Sequence, residues 1–183
     1  MTSSPPCLPA PTPTSSVIHR DEQRTGTSAA TFTCVSPAVY RRLHAARTGD
    51  GAPLPLTVPT APHDVGRVSP TDVVLSPTPE PGRWQLRADT RHPVLFDHSV
   101  DHVPGMVLPE AARQAAAALL GHPCLPISLA GEFTHNVELD APCMIEARTL
   151  PRDTDTGDHV LVTGRQEDRT AFTATLTAVP ATL

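Results

Sequence analysis

The stretch FDHSVDHVPGMVLPEAARQAAAALL, Phe96 to Leu120, decides how the chain folds. Its first half repeats Asp-His, at Asp97-His98 and Asp101-His102. Pro104-Gly105 then opens a run of Ala, Leu, Val and Met that reads as a helix from Met106 to Leu120, stopped by Gly121 and Pro123. A helix that is apolar on almost every side belongs inside a domain. Glu110, Arg113 and Gln114 stand out against it. They fall at i, i+3 and i+4, so they share one face, and buried Glu and Arg need partners.

Working outward, Arg83 to Asp89 reads as a strand, with Trp84, Leu86 and Ala88 facing in and Arg83, Gln85, Arg87 and Asp89 facing out. After the helix, Ile127 to Leu139 alternates apolar and polar residues, and is the longest predicted strand of an antiparallel sheet with one wet face. This pattern places His135 on the apolar side. Cys143 to Leu150, His159 to Gln166 and Phe172 to Val179 continue the sheet, with a turn at Asp153 to Asp158. One buried helix wrapped by one curved antiparallel sheet describes an α+β hotdog fold. Residues 67–183 are read as this domain. Residues 1–26, with five prolines by position 13, are read as a disordered Pro/Ser/Thr-rich tail. Residues 27–66 are read as a strand at Ala30 to Val35, a helix from Pro37 to about Arg47 capped by Ser36, and a Pro-rich linker.

The composition excludes several chemistries. All fourteen basic residues are Arg, so no lysine is present to form a Schiff base. A net charge of −5 without a basic helix gives no nucleic-acid partner. Cys7, Cys34, Cys124 and Cys143 are too scattered for a zinc or disulfide framework, and none has an activating neighbour. No stretch approaches a membrane span, so a cytoplasmic protein is expected.

The segment DHSVDHVPGMVLPEAARQAA, preceded by VGRVSPTDVVLSP and PGRWQLRADTRHPVLFDH, closely resembles the A-factor biosynthesis hotdog family. The resemblance runs from about Thr31 to Thr177. More distantly, Pro104 to Ala111 is similar to a motif of hotdog dehydratases of fatty-acid synthesis. Family members carry two hotdog repeats, and this chain resembles the second alone. Ala30-Thr-Phe-Thr-Cys-Val-Ser36 echoes Ala174-Thr-Leu-Thr-Ala-Val-Pro180, so residues 27–66 hold a remnant of a first repeat on this reading. A missing repeat implies a symmetric homodimer with sheets joined edge to edge.

The resemblance implies transfer of a β-ketoacyl group from an acyl-carrier-protein or CoA thioester to dihydroxyacetone phosphate. Backbone N–H groups at Gly105 and Met106 are placed to polarise the thioester carbonyl. Gln114 is expected in the substrate site. Glu110 is the first choice of base, with a pKa raised by burial, and its alternative is a plain ion pair with Arg113. Arg113 holds Glu110, binds phosphate, or both. His98 with Asp97, and His102 with Asp101, are alternative acid–base pairs. The H-x-x-x-H spacing lacks a third ligand nearby, and no metal or cofactor is expected. A dehydratase or thioesterase on an acyl thioester, and a non-catalytic acyl or butyrolactone binder, remain as alternatives.

Overall fold

The computed structural model describes residues 10–44, 52–151 and 157–181. The chain separates into two units, one up to Asp50 and one from Gly51 onward.

In the first unit, β1 (Thr12–Arg20) and β2 (Gln23–Phe32) form an antiparallel hairpin. The turn is two residues long, with both Asp21 and Glu22 at positive φ (48° and 64°), the geometry that suits strand twist. Most of the segment read as a tail, Thr12 to Gly26, is therefore extended. The strand expected at Ala30 to Val35 starts seven residues earlier and ends at Phe32. The Thr side chains of both strands and Val17 and Ile18 of β1 suit a pleated strand, a preference masked by the Pro/Ser/Thr composition. The first nine residues lie outside the described ones. The helix α1 (Pro37–His44) begins where expected: Ser36 Oγ accepts from Val39 N at 3.4 Å. Its expected end near Arg47 lies outside the described residues.

The second unit holds β3 (Leu75–Pro77), β4 (Arg83–Leu86), α2 (Val107–Leu120), β5 (Cys124–Phe133), β6 (Cys143–Thr149), β7 (Asp158–Gln166) and β8 (Arg169–Pro180). Short 3-10 turns precede them at Pro62–Val65 and Pro70–Asp72. The six strands form one antiparallel sheet in the order β3-β4-β6-β7-β8-β5. Helix α2 packs on one face. Val107, Leu108, Ala111, Ala112, Ala115 and Ala116 are buried against Ile145, Val160, Val162, Phe172 and Leu176. Gly121, at φ 70°, caps α2 and donates to Ala117 O at 3.1 Å. A buried helix against one antiparallel sheet is the α+β hotdog arrangement.

The core tolerates no side chain at Gly164. A Cβ there would lie 2.1 Å from the Phe172 ring, which crosses the ladder from the paired position on β8.

Three expectations need correction. The long strand ends at Phe133, not Leu139, and β8 is the longest strand. Beyond it Thr134 and His135 N–H both donate to Ala171 O, and the chain turns off the sheet before Val137 re-enters the core. His135 is exposed, not a core histidine; its ring nitrogen meets Thr170 O at 3.2 Å. Arg87 is buried rather than on the wet face, with Nε donating to Thr57 O at 2.9 Å and Nη1 to Val73 O at 3.0 Å.

The two sheet edges differ. β3 is short, ends in Pro77, and is covered by the Pro-rich segment, since Thr60 N donates to Leu75 O at 2.8 Å. β5 pairs only with β8 among the described residues. Leu129 and Phe133 pair with the buried Leu176 and Phe172 and share their face, yet remain 42% and 53% exposed. The helix does not reach far enough to cover them.

Candidate active site

The polar side chains of α2 are positioned by the two 3-10 turns. In Val65-Gly66-Arg67, Val65 O accepts from Arg113 Nη2 at 3.1 Å. Gly66 adopts φ +64°, and a Cβ there would stand 3.4 Å from Arg113 Nη1. Arg67 reaches back to the helix: Nε donates to Glu110 Oε1 at 2.9 Å, and Nη2 forms an ion-pair contact with Oε2 at 2.6 Å. Arg113 holds the same carboxylate from the other side, with Nε to Oε2 at 3.0 Å and Nη2 to Oε1 at 2.9 Å. Two guanidiniums therefore share one carboxylate.

Gln114 is fully buried and ties this cluster to the second turn. Its Oε1 accepts from Val74 N at 3.0 Å; its Nε2 donates to Asp72 O at 2.8 Å and makes a close hydrogen bond to Glu110 Oε1. Its two N–H groups and its amide oxygen are thus engaged by Glu110 and the 72–74 backbone. Asp72 extends the chain through its side chain to His92 Nε2 at 3.2 Å. His92 Nδ1 accepts from Leu95 N at 2.9 Å and Val94 N at 3.2 Å. That fixes the proton on Nε2 and anchors the loop leading into Phe96.

The charge state of Glu110 differs from the sequence expectation. Burial pushes its pKa up, as expected. Hydrogen bonds from Arg113 and Arg67, the Arg113 charge and the Gln114 bond outweigh burial and hold it below the ordinary carboxylate range. Its oxygens accept four hydrogen bonds and make one further close ion-pair contact, with Arg67 Nη2. An ionised carboxylate held in this way is anchored between the two guanidiniums.

The histidines lie in two separate dyads on the loop before α2. His98 Nδ1 meets Asp97 Oδ1 at 2.6 Å, and His102 Nδ1 meets Asp101 Oδ1 at 2.7 Å. A carboxylate only accepts, so Nδ1 donates and Nε2 carries the lone pair, the arrangement a general base needs. The His98 side chain is 71% exposed and His102 28%. His102 also bridges Glu138 through the backbone, which fixes its end of the loop.

The start of α2 has no side-chain cap. Val107 N donates to Pro104 O at 3.0 Å, whereas the N–H groups of Gly105 and Met106 have no hydrogen-bond partner among the described residues. A Cβ at Gly105 would meet nothing within 4 Å, so the space above it is open. Pro109, in the first turn, brings no further N–H. Met106 is 51% exposed and lines an open groove with Leu95, Glu110 and Arg113 on one side and Ile127 and Leu129 of β5 on the other. The groove is apolar along β5 and cationic at Arg113. Thiolate chemistry is excluded at Cys143, whose thiol burial pushes up to about 12, and burial also raises Cys124.

Arg67 is the residue the sequence reading did not single out. Its only signal was its place in VGRVSP; the carboxylate it binds lies 43 positions away. Among the described residues, no group of three or more His, Cys, Asp and Glu side chains could hold a metal ion, and no helix is long and apolar enough to cross a membrane.

With this geometry in view, the chain matches the A-factor biosynthesis hotdog domain over residues 50–182. A Streptomyces virginiae protein named 2-oxo-3-(phosphooxy)propyl 3-oxoalkanoate synthase is 55% identical over 148 residues, covering 80% of this chain and 50% of that protein. Proteins of the same name are 39% identical over 170 residues in Streptomyces griseus (92% and 56%) and 42% identical over 153 residues in Streptomyces coelicolor (83% and 48%). The chain thus spans about half the length of these relatives.

Proposed function

The chain belongs to the A-factor biosynthesis hotdog family, and from that premise we propose that it transfers a β-ketoacyl group from a carrier-protein or CoA thioester to the hydroxyl of dihydroxyacetone phosphate. The observation that carries this reading is the groove itself. An apolar wall on β5, free N–H groups at the start of α2 and a cationic end at Arg113 suit, in turn, an acyl chain, a thioester carbonyl and a phosphorylated acceptor.

In the proposed step the acyl chain lies along Ile127 and Leu129. The thioester oxygen takes the N–H groups of Gly105 and Met106, which stabilise the charge that develops on it. Either His98 or His102 removes the proton of the attacking hydroxyl through Nε2. The new C–O ester bond forms as the C–S bond breaks, and the same imidazole returns the proton to the leaving thiolate. Arg113, held by Glu110 and Val65 O, faces the acceptor.

We also propose that the sheet is completed along β5 by another hotdog unit, in a homodimer. The uncovered edge and the exposed Ile127, Leu129 and Phe133 support this. The first unit supports the assignment of its hairpin to a further repeat. β1–β2 and β7–β8 share a two-residue acidic turn with matching positive φ, at Asp21-Glu22 and Glu167-Asp168. Both shift register three residues before that turn, after Ile18 and after Gly164. At that step each pairs a glycine with a bulky residue, Gly26 with Ile18 and Gly164 with Phe172.

The test is product identification by mass spectrometry after incubation with a β-ketoacyl thioester, with and without dihydroxyacetone phosphate. A phosphorylated ester or butenolide formed only with the acceptor is expected. Water loss or plain hydrolysis without the acceptor would replace this reading with the dehydratase or thioesterase one.

A further inference from the structure

We infer that Arg67 and Arg113, bridged by Glu110, form a built clamp for a phosphate monoester, and that Arg67 is the residue that gives the site its preference for a phosphorylated acceptor. This deepens the acyl-transfer reading and rests on it for the identity of the acceptor. The clamp itself stands on geometry alone.

Both guanidiniums lie within 3.0 Å of one carboxylate, so they converge on a common point. Two cations against one anion leave a net local charge of +1 in a chain whose formal net charge is −5. The other arginines near the sheet are differently placed. Arg83, Arg91 and Arg169 each face carboxylates of their own, at Glu80 and Glu146, Asp89 and Glu167, and Arg87 is spent on two carbonyls. Only at Glu110 do two arginines share a single acid among the described residues.

Donors remain after the internal bonds are counted. Arg67 uses Nε and Nη2 on Glu110, and Arg113 uses Nε and Nη2 on Glu110 and Val65 O. The Nη1 group of each has no hydrogen-bond partner among the described residues. Gly66 keeps one of them uncovered, since any side chain there would start 3.4 Å from Arg113 Nη1. Arg67 is 36% exposed and Arg113 19%, so the pair is reachable from solvent yet held rigidly from beneath. A planar fork locked on one side and open on the other is the arrangement in which arginine binds phosphate with little loss of side-chain freedom. With no lysine in the chain, arginine is also the natural phosphate ligand here.

A phosphate could arrive on the acceptor, as a monoester, or on the pantetheine arm of the thioester, as a diester; the groove end beside Arg113 favours the acceptor. The experiment is calorimetric titration of the full chain with inorganic phosphate, dihydroxyacetone phosphate, unphosphorylated dihydroxyacetone and 4′-phosphopantetheine. Wild-type protein is compared with Arg67→Gln, Arg67→Lys and the remote control Arg83→Gln, each checked for native circular dichroism. We expect Arg67→Gln to weaken phosphate and dihydroxyacetone phosphate by about tenfold or more, the loss of one charge-assisted contact. Arg67→Lys should fall between, because it keeps the charge and loses the fork. Arg83→Gln should match wild type. Saturable phosphate binding that depends on Arg67 in a protein with no transfer activity would uphold the clamp and remove the transferase reading. Loss confined to 4′-phosphopantetheine would overturn the acceptor assignment. Affinity for phosphate unchanged in Arg67→Gln, or no phosphate binding by wild type, would overturn the clamp.

Discussion

Replacing Glu110 by Gln separates an anchoring carboxylate from a catalytic base. The substitution keeps the shape and removes the charge between two guanidiniums. It also sets an amide N–H₂ against donors where an oxygen accepted before. A broken buried ion pair costs roughly 3–5 kcal/mol, and a hydrogen bond to a charged group contributes roughly 1.5–3 kcal/mol. Glu110 is 13% exposed, but Arg67 at 36% keeps much of its hydration, so the cost is discounted to about 2–3 kcal/mol. For a domain of this size that lowers Tm by roughly 6–15 °C. The pH dependence follows from the sign of the shift. The folded-state pKa lies below the unfolded one, so the carboxylate's contribution is fully present above the ordinary Glu value of about 4.3. It is lost as pH falls through the depressed folded value. Thermal melts of wild type and Glu110→Gln at pH values from 7 down to 3 should therefore be well separated at neutrality and converge in acid. A Glu110 kept protonated by an apolar pocket would behave in the opposite way, since Gln imitates the neutral acid. A variant as stable as wild type at pH 7 would refute the anchoring argument.

Further outcomes follow from the same contacts. Gly105→Ala should leave the unfolding free energy within about 0.5 kcal/mol of wild type, given the open space above it, while lowering kcat; normal turnover would remove Gly105 from the carbonyl seat. His98→Gln and His102→Gln, assayed separately, should show one of them reducing kcat by roughly 10²–10⁴-fold, the usual contribution of a general base; full activity in both would end the dyad assignment. Gly164→Ala should destabilise the domain by at least about 1–3 kcal/mol in chemical denaturation, since its Cβ meets the Phe172 ring. With a thiol reagent at pH 8, the exposed Cys34 should react in the native protein and Cys143, with its pKa near 12, only after unfolding. Ile127→Arg should shift the sedimentation coefficient towards a monomer if β5 joins two copies; a wild-type monomer at micromolar concentration would contradict the dimer.

Helix α2 was legible because its signal is local: an apolar run, Pro104-Gly105 before it and Gly121 after it, the last seen as the left-handed cap; the helix begins at Val107, one residue later than expected. The faces of β4, β6, β7 and β8 follow from alternation, which depends only on the pleat. Exposure is another matter. Alternation placed Leu129 and Phe133 on the helix side of the sheet, and they are there, but whether a helix covers them depends on how far α2 extends across the strands. The break at Thr134 was hidden because Val137 resumes the apolar pattern once the chain has left the sheet. Arg87 reads as a surface residue in sequence and is buried because the Pro-rich segment brings Thr57 O above it. At the site, Glu110, Arg113 and Gln114 were found from helical spacing. Arg67 was not, because its contact with Glu110 spans 43 positions and crosses a loop. Missing that second cation also reversed the expected direction of the Glu110 shift: burial alone raises the pKa, and two arginines lower it.

The central claim is that this groove joins an acyl thioester to a phosphorylated acceptor. Initial rates of thioester consumption, measured with dihydroxyacetone phosphate and with unphosphorylated dihydroxyacetone as alternative acceptors, test it most directly. Turnover is expected to depend on the acceptor, with a KM for the phosphorylated acceptor lower by about tenfold or more. Thioester consumed at the same rate with either acceptor, or with none, would contradict it.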